Sequence, residues 1–268
     1  MFFTRRWRAW ALGLAVGIAV AVPATRAASR YFLFPGQRLR TLAAPRDFIV
    51  GAIVASDGAP VHLLELPAAT GAWTIVHFHN NRETVEACAE LASALHARGF
   101  GVLLVEYRGY GASRDLDPTE EGLYRDAEAG LDMLAARGIG PERVVLSGIS
   151  LGTGVAAEMA RRGRGARLVL MTPYTSIPDL VTGIVPGAPA ALLLPDHFDT
   201  LSKAGGLRIP TLVVHGDADE IVPFWMGERV ARSIAGARLV RVGGGHHGDL
   251  FAREAEGILA EIVAFLET

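Results

Sequence analysis

The sequence is short of cysteine and of net charge. Its 268 residues include a single cysteine, Cys88, so no internal disulfide and no cysteine-based metal site can form. Neither sign of charge dominates, because 26 Lys and Arg stand against 28 Asp and Glu. Four of those arginines, with no acid, fall in the first 26 residues, so the rest of the chain is mildly acidic. This balance argues against a nucleic-acid partner.

The apolar run at the N-terminus is too short for a typical membrane helix. It extends from Ala9 to Val22, follows three arginines and ends at Pro23, whereas a span needs about 20 residues. We therefore expect residues 1–28 to be a signal peptide or an uncleaved N-terminal membrane anchor. The anchor stays open because Trp7 and Trp10 lie where interfacial aromatics would. Either way, the protein would be exported, to the periplasm or the medium, or held at a membrane.

The sequence pattern of the remaining residues, 29–268, predicts one α/β domain. Asp57-Gly58 lies between two alternating apolar runs and indicates a hairpin. After it, near-continuous apolar strands alternate with helices, which predicts a mostly parallel sheet with helices on both faces. The strands expected are 48–55, 61–66, 73–79, 101–107, 143–147, 168–171, 210–215 and 237–242, and the helices 83–97, 120–137, one from 151 onward, and 250–266.

The candidate nucleophile is Ser150, in the pentapeptide Gly148-Ile149-Ser150-Leu151-Gly152. This Gly-x-Ser-x-Gly follows an apolar strand and opens a helix, which is typical of a nucleophile elbow. We expect the two glycines to be needed because side chains there would collide where the new helix crosses the strand that it leaves. The N-H of Leu151, at the helix N-terminus, would face an oxyanion formed beside the serine.

A second oxyanion donor is expected from the loop that follows strand 73–79. The backbone N-H of Asn81 is our candidate, although Asn80 and Asn81 could instead simply cap the next helix. His77 and His79 alternate on the strand without a carboxylate cluster, so no metal site is expected. The next loop, 106–113, lacks the lysine of a phosphate loop, and we expect Glu106 and Arg108 to tie it down.

An acid and a base follow the serine in the order that a catalytic triad of this kind requires. The loop after strand 210–215 offers three candidates for the acid: Asp217, Asp219 and Glu220. Alternatively, all three only shape the turn. We assign Asp219 to orient the base, Asp217 to the turn and Glu220 to solvent. The base comes from the glycine-rich turn at 243–250, and the residues alone leave His246 and His247 open.

These stretches together resemble the α/β-hydrolase family, and more narrowly its small membrane-associated serine-hydrolase branch, which includes depalmitoylases and lysophospholipid lipases. The resemblance is carried by residues 77–81, 104–113, 148–152, 215–223 and 243–250. It implies an α/β-hydrolase fold and a serine triad without cofactor or metal. Aligned to the family's terminal Gly-x-x-His-Asn-Asp-Leu turn, this chain has His247 as the base, while a Gly-x-Gly-His pattern would select His246. Relatives have His-Gly-Asn where this chain has His79-Asn80-Asn81.

The resemblance also implies a small cap insertion at residues 172–208. Its apolar run at 184–195 either packs ordinarily or receives an acyl chain. We expect a serine hydrolase that cleaves a small-molecule ester or thioester, with lipid-like or acylated compounds as substrates. The alternatives are a peptidase or amidase of the same fold, or a catalytically silent ligand-binding module.

Overall fold

A computed structural model of the chain describes residues 26–39 and 43–268. The predicted leader, residues 1–28, therefore lies almost entirely outside the described residues. Within them, no helix combines the length and the apolar character that crossing a bilayer requires. The first described residues, 26–33, are helical and are called α1.

In the part of the chain that the structure describes, eight strands form one sheet in the order β1-β2-β4-β3-β5-β6-β7-β8. The β1-β2 hairpin and the β2-β4 pair are antiparallel, and every other neighbouring pair is parallel. This confirms the predicted α/β architecture and its antiparallel opening hairpin. The strands are β1 (Ile49–Val54), β2 (Pro60–Leu66), β3 (Thr74–Phe78), β4 (Gly101–Val105), β5 (Val144–Ile149), β6 (Arg167–Met171), β7 (Thr211–Gly216) and β8 (Arg238–Val242).

Helices connect the parallel strands. Residues 172–208, the predicted cap, contain three short helices, α5 to α7. The helices after α1 are α2 (Ala89–His96), α3 (Glu120–Ala136), α4 (Leu151–Arg161), α5 (Ile177–Ile184), α6 (Ala190–Leu193), α7 (Thr200–Ala204), α8 (Phe224–Ser233) and α9 (Leu250–Glu267).

The central strands are buried on both faces, which explains their unbroken apolar sequence. Every residue of β3, β4 and β7 is buried. Alternate side chains contribute to two separate apolar clusters, one on each face: Val76 and Phe78 belong to one cluster, and Ile75 to the other. The helices packed on both faces leave only the strand ends for a site, and the loops after β3, β5, β7 and β8 leave the sheet at its carboxyl edge.

One predicted helix begins later than expected. The pattern at 83–97 predicts a helix from Glu83, but the α-helix starts at Ala89, after a 3-10 turn at Val85–Cys88. Thr84 is extended, and the Glu83 carboxylate accepts a hydrogen bond from the backbone N-H of Asn80 at 3.1 Å. The loop after β3 thus uses the residues that the periodicity assigns to the first helical turn.

Candidate active site

Ser150 lies in a strained turn between β5 and α4. Its φ is 51°, a backbone conformation that residues other than glycine rarely adopt. Its N-H donates to the carbonyl of Met171 at 2.9 Å. A Cβ on Gly148 would collide with the carbonyl of Gly152, as the elbow pattern predicts. A Cβ on Gly152 would instead strike the carbonyl of Phe78 in the neighbouring strand, so this glycine serves the contact with β3 and not the crossing over β5.

Three side chains far apart in sequence form one hydrogen-bonded chain. The Ser150 hydroxyl lies 3.0 Å from Nε2 of His247, and Nδ1 of His247 lies 2.8 Å from Oδ2 of Asp219. Ser150 follows β5, Asp219 follows β7 and His247 follows β8, so the three loops meet at one edge of the sheet.

Asp219 is enclosed by hydrogen-bond donors. Its Oδ1 accepts the backbone N-H groups of Ile221 at 2.9 Å and Val222 at 2.7 Å, and its side chain is fully buried. Burial raises the pKa of this carboxyl, but hydrogen bonds from His215 and His247 lower it more, so the pKa lies well below its usual range. The residue is therefore ionised at neutral pH.

His215 is a neighbour of Asp219 that the sequence analysis did not single out. Its Nε2 lies 2.9 Å from the carbonyl of Val222 and 3.5 Å from Oδ2 of Asp219. The only sequence signal was its position four residues before the acid, at the end of the β7 strand.

The two candidate histidines occupy different places. His246 contacts Glu220: its Nδ1 lies 3.1 Å from Oε2 of that residue, and about half of each of these side chains is exposed. The same Glu220 oxygen accepts the backbone N-H of His247 at 3.4 Å. Glu220 reaches solvent, as expected, but it also ties down the turn that carries both histidines.

The loop after β3 lies against the first turn of α4. The Cβ position of Gly152 is crowded by the carbonyls of both Phe78 and His79. The Asn81 side-chain amide donates to the carbonyl of Leu33 at 3.0 Å, so α1 reaches the same loop. Within residues 26–39 and 43–268, no protein group accepts a hydrogen bond from the N-H of Asn81 or of Leu151. As far as the described residues show, both predicted oxyanion donors are thus available to a ligand.

The remaining residues singled out beside the site have other partners. Arg108 binds Asp126 and Asp57 and so ties its loop to α3 and to the β1-β2 turn. Glu106, expected to help tie down the same loop, instead lies 3.0 Å from Nε2 of His79.

His77 faces the hydroxyl of Ser147 at 3.0 Å, and burial lowers its pKa to about 3. Among the described residues, no group of three or more metal-ligating side chains comes together.

Comparison with known proteins gives consistent matches. A family model described as serine aminopeptidase, S33, matches residues 70–198, and one described as TAP-like protein matches 194–268. An uncharacterised protein of Mycobacterium tuberculosis is 38% identical over 180 residues, which are 66% of this chain and 64% of that relative. This chain thus spans somewhat less than two thirds of that relative's length.

A relative and a solved structure extend the likeness. A putative α/β hydrolase of Acanthamoeba polyphaga mimivirus is 32% identical over 137 residues, half of each chain. An esterase of Pyrococcus furiosus is 15% identical and superposes with a TM-score of 0.71 over 85% of this chain and 96% of its own. The two family models together cover the chain from residue 70 to its end, and the sheet order, the elbow and these matches agree: the chain belongs to the α/β-hydrolase family.

Proposed function

We propose that the protein is a serine hydrolase that cleaves an ester or thioester through an acyl-enzyme. The observation that supports this most directly is the continuous hydrogen-bonded chain from Ser150 through His247 to Asp219 on a strained elbow. Asp219 is ionised and accepts from Nδ1 of His247, so Nε2 carries the lone pair that faces the serine hydroxyl. His247, and not the solvent-facing His246, is the base in this proposal.

The proposed reaction proceeds in two halves. Ser150 Oγ attacks the substrate carbonyl while His247 takes its proton, and the resulting oxyanion is held by the N-H groups of Asn81 and Leu151. The tetrahedral intermediate collapses, His247 returns the proton to the leaving alcohol or thiol, and the acyl group stays on Ser150. Water then attacks the acyl-enzyme with His247 again as base, which releases the acid and restores the serine.

Labelling with a fluorophosphonate probe tests the nucleophile. The wild-type chain is expected to label, and Ser150→Ala to lose the label. Ser147→Ala is a matched control in the same segment, because the Ser147 hydroxyl faces His77 and not the site. A folded wild-type chain that does not react would favour the silent binding module. His247→Ala should lose hydrolysis almost completely, and His246→Ala should retain most of it.

Exposed apolar side chains in the predicted cap, residues 172–208, favour a substrate that carries an acyl chain. Ile184, Val185 and Leu192 are exposed apolar side chains in this segment, and such surface is typical of a site for an apolar ligand. We expect kcat/KM on p-nitrophenyl esters to rise from acetate towards longer acyl chains. Equal rates across the series would contradict an acyl-binding cap without affecting the proposed nucleophile.

A second candidate activity is peptide or amide hydrolysis. The observation that favours it is the match of residues 70–198 to a family model described as serine aminopeptidase. The same triad would serve, but the proton from His247 would have to reach a leaving amine. Comparing a p-nitrophenyl ester with an aminoacyl p-nitroanilide on the same enzyme preparation distinguishes the two, since an aminopeptidase would hydrolyse the anilide at a comparable kcat/KM.

A further inference from the structure

We propose that His79 and Glu106 are positioning residues that together aim and polarise one oxyanion donor, the N-H of Asn81. The inference rests on the proposed function, because it explains how that N-H would be prepared for a substrate oxyanion. Neither side chain reaches the substrate itself, since each is about 1% exposed. They lie directly behind the loop, at the ends of the adjacent parallel strands β3 and β4.

The contacts of His79 favour a doubly protonated ring. Nδ1 lies 2.7 Å from the carbonyl oxygen of Asn80, which can only accept, so this nitrogen carries a hydrogen. Nε2 lies 3.0 Å from Oε1 of Glu106, which is within ion-pair distance. Burial lowers the pKa of His79, but the hydrogen bond and the charge of Glu106 outweigh it, so the pKa is raised above its usual value. Geometry and charge thus favour an imidazolium at His79, facing the Glu106 side chain.

The other groups around the ring are consistent with a positive charge. The Tyr107 ring lies 4.1 Å from that of His79, centroid to centroid, and the Tyr110 ring lies 5.2 Å from it. Aromatic faces stabilise a nearby cation. The charge of Glu83 acts in the same direction as that of Glu106, whereas His77, two residues earlier on β3, stays neutral because its own pKa is lowered.

The link to the oxyanion site is a single peptide group. The carbonyl of Asn80 and the N-H of Asn81 belong to the same planar peptide, and in a trans peptide they point in opposite directions. A ring that holds the carbonyl on the buried side therefore turns the N-H to the opposite side. A cationic donor on the carbonyl also draws electron density from the peptide, which makes the N-H a stronger donor.

The neighbouring groups of the loop are held separately. The hydroxyl of Tyr107 donates to the carbonyl of His79 at 3.2 Å, and the hydroxyl of Tyr110 donates to the carbonyl of Asn81 at 3.1 Å. The N-H of Asn80 donates to Glu83. These contacts fix the ends of the loop, and His79 fixes the peptide between them, so the Asn81 N-H has one direction available.

Kinetics of Glu106→Gln and His79→Ala test the proposal. Glu106→Gln keeps the size of the side chain but removes the charge that holds His79 protonated, and we expect kcat on p-nitrophenyl butyrate to fall about 10-fold. His79→Ala removes the donor to the peptide and should cost about 10²-fold in kcat, the effect of losing one oxyanion donor. KM should change little in both variants, because the interaction acts on the transition state.

His77→Gln is the matched control, a buried histidine on the same strand whose partner is Ser147 and not the loop. The folded fraction of this variant should have the wild-type kcat. A kcat of Glu106→Gln equal to that of the wild type, with an unchanged fold by circular dichroism, would overturn the proposal. So would a drop in kcat for His77→Gln as large as that for His79→Ala, since it would indicate a general effect of core disruption.

A second readout does not depend on turnover. Nitrogen-15 spectra of the histidine rings, recorded as a pH titration, should show His79 losing its second ring proton at a higher pH in the wild type than in Glu106→Gln. A His79 ring that loses this proton at the same pH in both proteins would refute the charged pair whether or not the enzyme is active. A wild-type chain that shows the charged ring but neither labels nor hydrolyses any ester would instead contradict the proposed function on which the role of Asn81 depends.

Discussion

Asp219 is enclosed so that only one of its oxygens is available to the histidines. Oδ1 is occupied by the N-H groups of Ile221 and Val222, while Oδ2 faces the rings of His247 and His215. Any side chain that replaces Asp219 must therefore place a hydrogen-bond acceptor, and not a donor, at the position of Oδ2. This requirement determines which nitrogen of His247 carries the hydrogen, and so whether the ring can act as a base.

Asp219→Asn is expected to abolish most of the activity while preserving the fold. The asparagine oxygen would take the two backbone N-H groups, which leaves its NH2 against Nδ1 of His247. Nδ1 would then have to accept, so the hydrogen would move to Nε2 and block proton transfer from Ser150. We expect kcat to fall by about 10⁴-fold, the size measured for this change in another serine triad.

The matched control for this variant is Asp217→Asn. Asp217 lies in the same loop but binds the N-H of Gly244 and the Arg241 side chain, so its replacement should change kcat by no more than a few-fold. Measurement of kcat on p-nitrophenyl butyrate decides the matter. An Asp219→Asn enzyme with a tenth or more of the wild-type kcat would mean that the carboxylate does not set the tautomer of His247.

At the scale of the elements, the elbow depends on two close backbone approaches. The first turn of α4 lies against β5 at Gly148 and against the end of β3 at Gly152, and in each case a backbone carbonyl occupies the Cβ position. The neighbours are backbone atoms, of α4 in the first case and of β3 in the second, and they cannot swing aside as a side chain would. The same two contacts bring Ser150 and Leu151 beside the loop that carries Asn81.

Gly152→Ala is therefore expected to separate α4 from β3. We predict a loss of about 1–3 kcal/mol in the free energy of unfolding, as for an overpacked core position, together with loss of fluorophosphonate labelling. Gly183→Ala in α5 is the control, because among the described residues nothing beyond its chain neighbours and its own helix backbone lies within 4 Å of its Cβ position. Urea denaturation and labelling measure both effects. If Gly152→Ala were as stable and as reactive as Gly183→Ala, the close approach would not control the elbow.

Local pattern was sufficient to predict the elbow and the strands, because each depends on residues that are neighbours in sequence. The start of α2 could not be predicted in this way. Its expected first turn is held by the contact between Glu83 and the N-H of Asn80, and periodicity does not register a side chain that folds back on the preceding loop. The partner of Glu106 was missed for a related reason, since His79 lies 27 positions earlier and meets it only through the pairing of β3 with β4.

At the scale of the whole molecule, ion pairs connect helices that are distant in sequence. Glu158 in α4 binds Arg161 at 2.6 Å and Arg162 at 2.7 Å, and it lies 3.5 Å from Nζ of Lys203 in α7. Arg162 also binds Glu128 in α3 at 3.0 Å. Because the pairs span up to 45 positions, the local sequence pattern predicts the helix from residue 151 onward but not these contacts. The cluster links the elbow helix to the two helices beside it.

This cluster is expected to make stability depend on acid pH. Burial raises the pKa of Glu158, but its hydrogen bonds with Arg161 and Arg162 and the charge of Lys203 lower it from 4.5 to about 2. A carboxyl whose pKa is lower in the folded than in the unfolded state contributes stability above pH 4.5 and loses it as the pH falls towards 2. The shift corresponds to at most about 3 kcal/mol, and less where solvent screens the arginines.

Glu158→Gln isolates this contribution from those of other carboxyls. The free energy of unfolding in urea should be lower for the variant than for the wild type at pH 6, and the difference should shrink by up to about 3 kcal/mol between pH 5 and pH 2. Glu256→Gln is the control: Glu256 pairs with Arg98 but is 86% exposed, so its difference from the wild type should stay near zero throughout. A Glu158→Gln difference that is constant with pH would mean that Glu158 is not held ionised by the three cations, and that the apolar contacts of α4 alone join it to α3 and α7.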